Sequence, residues 1–152
     1  MHRNPLTKWL LAPLLFIGGC ANDTPPDPAQ CVPRFEAGWI RLGPAAMQMM
    51  GGFGRIENDC AEDAAVVAAS SAQFTDVSLH RTIEEDGISR MRPVARLEVD
   101  AGTTTVLEPG GLHLMLMQPR EPLREGGKVS VTLKLEDGRE LPAVLTVRAT
   151  AP

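Results

Sequence analysis

The chain has 152 residues, with 15 Lys and Arg against 19 Asp and Glu, so its formal net charge is −4. This length predicts one domain, and a content of 43% hydrophobic and 22% charged residues excludes a disordered polyelectrolyte. The acidic balance argues against nucleic-acid binding, which requires a clustered basic face.

The N-terminal segment indicates export and lipidation. Residues 1–8 carry basic side chains and no acid, and residues 9–19 form an apolar run that ends at Cys20. The run is shorter than the ~20 residues of a membrane-spanning helix, so it is typical of a signal peptide. Ile17-Gly18-Gly19 before the cysteine resembles a bacterial lipobox. We expect a lipoprotein signal peptide at 1–19 and a lipidated Cys20, with an ordinary signal peptide as the alternative.

The residue after the lipidated cysteine bears on location. Ala21 stands there instead of Asp, which resembles the pattern of lipoproteins that are sorted to the outer membrane of Gram-negative bacteria. The expected location is therefore the periplasm, with the protein held at a membrane by its lipid alone. Residues 20–33 contain four prolines and predict a semi-extended tether, so the folded domain is expected over residues 34–150.

The cysteine count agrees with export. If Cys20 carries lipid, Cys31 and Cys60 remain as an even pair in an oxidising compartment. Neither lies in a C-x-x-C motif or beside a histidine. This favours a structural disulfide, while two free thiolates acting as metal ligands are the alternative.

The remaining chain is a succession of short strands and turns. Strands are predicted by alternation and β-branched content, although residues 64–70 are also compatible with a helical turn. Asp86-Gly87 predicts a hairpin turn, and Glu108-Pro109-Gly110-Gly111 predicts a type II turn. No strand is evident in the Gly- and Met-rich residues 43–54. The pattern predicts an all-β sandwich or barrel of seven to nine mostly antiparallel strands, with strands at 35–42, 64–70, 75–83, 97–99, 103–107, 112–117, 129–135 and 141–147.

Two of these strands carry unusual side chains opposite their aliphatic face. In residues 112–117 the three leucines share one face, and His113, Met115 and Met117 share the other. His80 likewise alternates with the aliphatic residues of its strand. Imidazole and thioether together are soft donors that favour Cu(I) over zinc, magnesium or calcium. Taken singly, a solvated histidine or a methionine that fills a gap in the core is the commoner explanation.

The spacing of four such residues is more specific. His80, Met91, His113 and Met115 follow the pattern H-x10-M-x21-H-x-M, which resembles the signature of the PCu(A)C family of periplasmic copper chaperones. The flanking residues 77–80, 85–94 and 107–117 are also similar to that family, and the resemblance covers residues 36–148.

The resemblance implies both a fold and a function. It implies a cupredoxin-like Greek-key β-barrel that binds one Cu(I) through His80, Met91, His113 and Met115. It further implies a monomeric chaperone that delivers copper to the copper-site subunit of cytochrome c oxidase, alongside a thioredoxin-like assembly protein. Sequestration of copper by the same site, without a dedicated recipient, is the alternative.

Some features depart from the family pattern or point elsewhere. Arg81 follows the first histidine where the family often has Met. Met47, Met49 and Met50 have no assigned family role, and they either form a second soft copper patch or fill the barrel. Whether Met117 belongs to a second copper site is left open as well.

An electron-transfer cupredoxin would need a Cys ligand beside its His and Met ligands, whereas both remaining cysteines lie upstream. No enzyme is expected, because the chain contains neither G-x-S-x-G nor H-E-x-x-H.

Overall fold

The computed structural model describes residues 31–44 and 48–151. The predicted signal peptide, Cys20, most of the tether and Met47 lie outside this part of the chain. The described residues form ten strands and no helix, so none of them belongs to a helix that could cross a membrane. The strands are β1 (Arg34–Arg41), β2 (Met49–Asn58), β3 (Ala64–Ser70), β4 (Phe74–Glu85), β5 (Ile88–Pro93), β6 (Leu97–Val99), β7 (Thr103–Leu107), β8 (Leu112–Pro119), β9 (Lys128–Leu135) and β10 (Glu140–Arg148).

Seven of the strands close into a barrel. Their order is β4-β8-β2-β1-β10-β9-β3, and β3 closes the ring by pairing again with β4. Only the β1–β10 pairing is parallel among the described strands. The other three strands extend the sheet, because β5 pairs with β4, β6 with β3 and β7 with β2. The prediction of a mostly antiparallel all-β fold is confirmed, and the predicted number of strands was too low by one.

Strand β2 was missed because glycines interrupt its pattern. Glycine is depleted in strands, yet here close neighbours occupy the space that a side chain would need. A Cβ on Gly52 would lie 2.8 Å from Leu116 Cδ1, and one on Gly51 would lie 2.6 Å from Phe53 Cζ. The glycines therefore let side chains of the core and of the outer face approach the strand closely. Because they carry no side chains, they also remove the hydrophobic alternation by which a strand is recognised in a sequence.

Strand β5 was also missed, and it carries Met91. No strand was predicted between residues 83 and 97, whereas Met91 lies in β5, with Thr82 of β4 as its partner. The predicted turn that joins the two strands is present, with Asp86 at φ 53° and Gly87 at φ 72° as in a type I′ hairpin. Every residue of β5 is exposed, so the strand has no apolar alternation.

Aliphatic side chains fill the barrel. The three leucines of β8 point into it, and Leu114 and Leu116 have no exposed surface. Successive strand residues point to opposite faces, so the residues between these leucines lie on the outer face of the sheet. The turn before β8 has the predicted type II character: Gly110 has φ 80°, and the Gly111 N–H donates to the Glu108 carbonyl at 3.1 Å.

An irregularity in β1 turns an aromatic side chain outward. Ala37 has φ 52°, and the register of β1 against β2 shifts between Glu36 and Trp39. Such a bulge inserts one extra residue and reverses the alternation beyond it. As a result Ile40 enters the core cluster and Trp39 lies outside it. Ahead of β1, Cys31 forms a disulfide with Cys60, with a Cα–Cα distance of 5.8 Å, as the sequence favoured.

Candidate metal centre

The two histidines of the described chain lie directly opposite each other. His80 on β4 pairs in register with His113 on β8, and their ring centroids are 6.2 Å apart. Neither belongs to the core cluster. They differ in accessibility, since His80 is half-buried while His113 is only 7% exposed. The sequence indicated two outward-facing histidines, and the burial of His113 was not foreseen.

An aromatic wall on the outer face accounts for that burial. The Phe53 ring lies 6.3 Å from the His113 ring and 4.6 Å from the Trp39 ring, measured between centroids. Phe53 lies this close to the sheet because Gly51, two residues earlier on the same face, has no side chain. Sequence reasoning missed this wall. A glycine two positions before an aromatic residue within one strand is the signal that could have indicated it.

The hydrogen bond of His113 selects its free nitrogen. Nδ1 of His113 lies 3.0 Å from the Gly111 carbonyl oxygen. A carbonyl oxygen only accepts, so Nδ1 must carry the proton. In the neutral ring Nε2 then holds the lone pair. Fixing one ring nitrogen so that the other can bind a metal is the usual arrangement for a histidine ligand.

His80 has the opposite arrangement. Its Nε2 lies 3.2 Å from Ser78 Oγ, which lies 3.4 Å from Asp76 Oδ2. If the serine hydroxyl donates to the carboxylate, its oxygen accepts the proton of Nε2, which leaves the lone pair on Nδ1. Nδ1 of His80 is buried and has no hydrogen-bond partner. A buried polar atom without a partner is uncommon, and a metal ion would satisfy it.

Burial also favours the neutral form of His80. Desolvation lowers the pKa of His80 below its ordinary value, the charge of His113 lowers it further, and Asp76 opposes both effects. A histidine must be unprotonated to bind a metal ion. The surroundings of His80 therefore favour the form that can act as a ligand.

The two methionines lie on the same outer face as the histidines. Met115 follows His113 by two residues on β8 and pairs with Ser78 of β4, while Met91 on β5 is 49% exposed. Met91, His113 and Met115 line one cavity of about 240 Å³. His80 does not line this cavity, although it adjoins it through the His113 ring. The structure thus brings three of the four predicted ligands to one cavity and the fourth beside it.

The electrostatics of the cavity favour an ion of low charge. Arg41 contributes to its lining, and the guanidinium carbon lies 5.8 Å from the Trp39 ring centroid and 5.7 Å from that of Phe53. No Asp or Glu is among the described residues that line this cavity. A fixed positive charge and neutral donors penalise a divalent cation more than a monovalent one. In chemical terms, the site can hold a soft monovalent ion through imidazole and thioether.

Other parts of the described chain offer less to a metal ion. Another cavity, of about 630 Å³, lies beside residues 120–124 and contains none of the predicted ligands. Within residues 31–44 and 48–151, no three His, Cys, Asp or Glu side chains come together in a way that could hold a metal ion.

Two sequence comparisons match lipoproteins. A sequence profile described as "Putative lipoprotein LpqE-like" matches residues 34–147. The "Putative lipoprotein Lxx21020" of Leifsonia xyli subsp. xyli is 35% identical over 142 residues, which cover 89% of this chain and 84% of that protein.

Solved structures share the fold. The CuI-DR1885 solution structure from Deinococcus radiodurans is 28% identical with a TM-score of 0.63, and the match covers 80% of this chain and 83% of that one. The copper-bound PCuAC domain from PmoF2 is 18% identical, also with a TM-score of 0.63, over 76% of this chain and 92% of that domain.

The barrel therefore has the fold of PCuAC domains, as the resemblance implied. More particularly, the chain belongs to the LpqE-like lipoprotein family.

Proposed function

We propose that this domain is a copper chaperone that binds one Cu(I) through His80, Met91, His113 and Met115. The observation that carries the proposal is the pair of opposed histidines, each with one nitrogen left without a proton, beside two thioethers on the same face. The similarity to CuI-DR1885 and to the copper-bound domain from PmoF2 supports copper as the ion.

The donor chemistry suits both capture and release. Thioether sulfur is neutral and needs no deprotonation, so it binds Cu(I) over a wide pH range, and it cannot be lost to disulfide formation as a thiolate can. Soft neutral donors select Cu(I) among the available ions. Met91 is the exposed member of the set and His113 is the buried one. A recipient can therefore approach the ion from the side of Met91.

X-ray absorption of the Cu(I)-loaded protein tests the ligand set. We expect two sulfur and two nitrogen scatterers in the wild type, and fewer sulfur scatterers in a variant with Met91→Leu and Met115→Leu. Ile88→Leu is a matched control, because it changes another exposed residue of β5 and removes no donor. A shell of nitrogen and oxygen alone would exclude the proposed site.

The recipient that we propose is the copper-site subunit of cytochrome c oxidase, reached together with a thioredoxin-like assembly protein. The resemblance of the ligand spacing to the PCu(A)C chaperones supports this role. Sequestration of copper is the competing function with the same site. Oxidase activity of a deletion strain in low copper separates the two functions. If the protein is a chaperone, the activity is lost, and the wild-type gene restores it. A gene that carries both His80→Ala and His113→Ala does not restore it. Normal oxidase activity combined with copper sensitivity would favour sequestration.

We also propose that Cys20 carries a lipid that anchors the domain as a monomer in the bacterial envelope. Membership of a lipoprotein family supports an anchor, and Ala21 supports the outer membrane over the inner one. A Cys20→Ser variant is expected to remain foldable but to leave the membrane fraction or stay unprocessed, because stable attachment depends on the acyl chains. Fractionation that matches the wild type would indicate an ordinary secreted protein.

A further inference from the structure

Two methionines outside the four-ligand set lie opposite each other on the outer face. Met49 on β2 pairs in register with Met117 on β8. Directly opposed residues of antiparallel strands have Cβ atoms about 4.5–5.5 Å apart. Two flexible thioethers at that separation can reach one ion. Neither side chain belongs to the core cluster, and Met49 is 37% exposed.

Filling of the core does not account for this pair. The neighbouring Met50 is the methionine that packs into the barrel, where it is buried within the core cluster. Met49 points the other way because successive residues of a strand alternate between faces. The same outer face therefore presents Met49 and Met117 without a packing role in the interior.

The pair continues the row of soft donors from the proposed copper site. On β8, His113, Met115 and Met117 follow one another at every second position. Met49 also lines the cavity that Met91, His113 and Met115 line. On the far side of Met117, β4 places Asp76 directly opposite it. A row of Asp76, Met117 and Met49 thus crosses three strands, two positions beyond Met115.

We propose that Met49 and Met117 form a second, weaker Cu(I) site from which the ion moves to and from the four-ligand site. The inference rests on the proposed copper function and extends it. The second site is weaker because it has two thioethers and no imidazole, and because one of them is exposed to water. Met49 lines the cavity of the four-ligand site and pairs with Met117 outside it, so neutral sulfur donors give Cu(I) a route between the two sites.

Methionine methyl groups report both sites separately. The full chain, purified in detergent and labelled with ¹³C at the methionine methyls, is titrated anaerobically with Cu(I), and Met→Leu variants assign the signals. We expect the Met91 and Met115 methyl signals to shift during the first equivalent. The Met49 and Met117 signals should shift during the second, and the Met50 signal should remain in place.

A pair of adjacent variants provides the matched control. Met49→Leu is expected to abolish the second binding event and to leave the affinity of the first within about twofold. Met50 also borders this cavity, but its side chain is buried in the core cluster, so Met50→Leu should leave both events intact. Since both changes preserve side-chain size, neither should alter the fold.

The outcomes distinguish the two proposals. If the Met91 and Met115 signals shift while those of Met49 and Met117 never do, or if all four shift together in the first equivalent, the second site is excluded and the copper function stands. If only the Met49 and Met117 signals shift, the pair is a copper site and the four-ligand proposal fails. If no methyl signal responds to Cu(I), both are excluded.

Discussion

His80 and His113 face each other across β4 and β8 with ring centroids 6.2 Å apart. The register of two hydrogen-bonded strands sets this distance, so the strands themselves position the two histidines of the proposed site. Each ring is also held by its own hydrogen bond, one to Ser78 and the other to the Gly111 carbonyl. A preformed pair of this kind lowers the ordering cost of binding, and the following predictions depend on it.

Ser78 is expected to hold His80 in its ligand tautomer. Ser78→Ala removes the partner of Nε2 and frees the ring to exchange its proton between the two nitrogens. We expect Cu(I) affinity to fall by about tenfold, the lower end of the range for partners that orient a histidine ligand. Competition with a Cu(I) chelator measures the affinity, and ¹⁵N NMR of the His80 ring reports the tautomer.

Two further variants control for a merely structural effect. Ser78→Thr retains the hydroxyl and should restore both the affinity and the tautomer. Thr104→Ala removes a hydroxyl from an exposed position on β7 and should change neither. If Ser78→Ala shifted the tautomer and left the affinity unchanged, the role assigned to Ser78 would be wrong.

The stability of the copper-free protein should depend on pH through His80. Burial lowers the pKa of His80 in the folded protein, so below the ordinary value of about 6.5 the unfolded chain binds more protons than the folded one. The free energy of unfolding therefore falls as the pH drops below about 6.5, and it stops falling from this cause once the folded protein is also protonated.

Urea denaturation of the copper-free protein across this pH range measures the dependence. His80→Gln lacks the titrating group, so the slope that His80 contributes between pH 6.5 and its lowered pKa should disappear in this variant. Both proteins retain the carboxylates remote from His80, which cancel in the difference between them, whereas His113 and Asp76 interact with His80 and are part of the slope assigned to it. Identical pH dependence in the two proteins would show that His80 is not desolvated in the folded state.

The disulfide should stabilise the barrel without affecting copper. Cys31 and Cys60 close a loop with a sequence separation of 29, for which loss of chain entropy in the unfolded state corresponds to about 3–4 kcal/mol. Replacing both cysteines with serine should lower the free energy of unfolding in urea by about that amount. Cu(I) affinity should not change, since neither cysteine lines the cavity of the proposed site. A loss of copper binding in the double variant would assign the cysteines to the site.

Much of the barrel could be predicted because its local signals agree with its tertiary structure. The leucines of β8 alternate, and the Asp86-Gly87 and Pro109-Gly110 turns have the residues that their backbone angles require. The glycines of β2 and the exposed residues of β5 carry no such signal. The bulge at Ala37 could not be foreseen either, since alanine rarely adopts a positive φ.

The candidate site, too, has one part that could be predicted from the sequence and one that could not. The spacing of the four proposed ligands is visible along the chain, and β8 alone places His113 and Met115 on one face. The aromatic wall of Trp39 and Phe53 depends instead on how β1 and β2 align with each other and with β8. Such long-range register is not encoded in any short stretch of sequence, so the burial of His113 emerged only from the structure.

The proposed ligands should contribute unequally to copper binding. His113 is 7% exposed, its Nδ1 is fixed by the Gly111 carbonyl, and Phe53 packs beside it. Met91 is 49% exposed on β5, an edge strand, where a recipient can displace it. We expect His113→Ala to weaken Cu(I) binding by about a hundredfold, or ~2.7 kcal/mol, and Met91→Ala by about tenfold.

The two variants should differ in kinetics as well as in affinity. Without Met91 the ion is held by the three less exposed ligands alone, so stopped-flow transfer to an acceptor should become faster. Neither variant should unfold, because both side chains lie outside the core cluster, and Met91→Leu controls for the loss of packing on β5. The proposed hierarchy would be wrong if Met91→Ala abolished binding while His113→Ala left the affinity within about twofold, a difference of only ~0.4 kcal/mol.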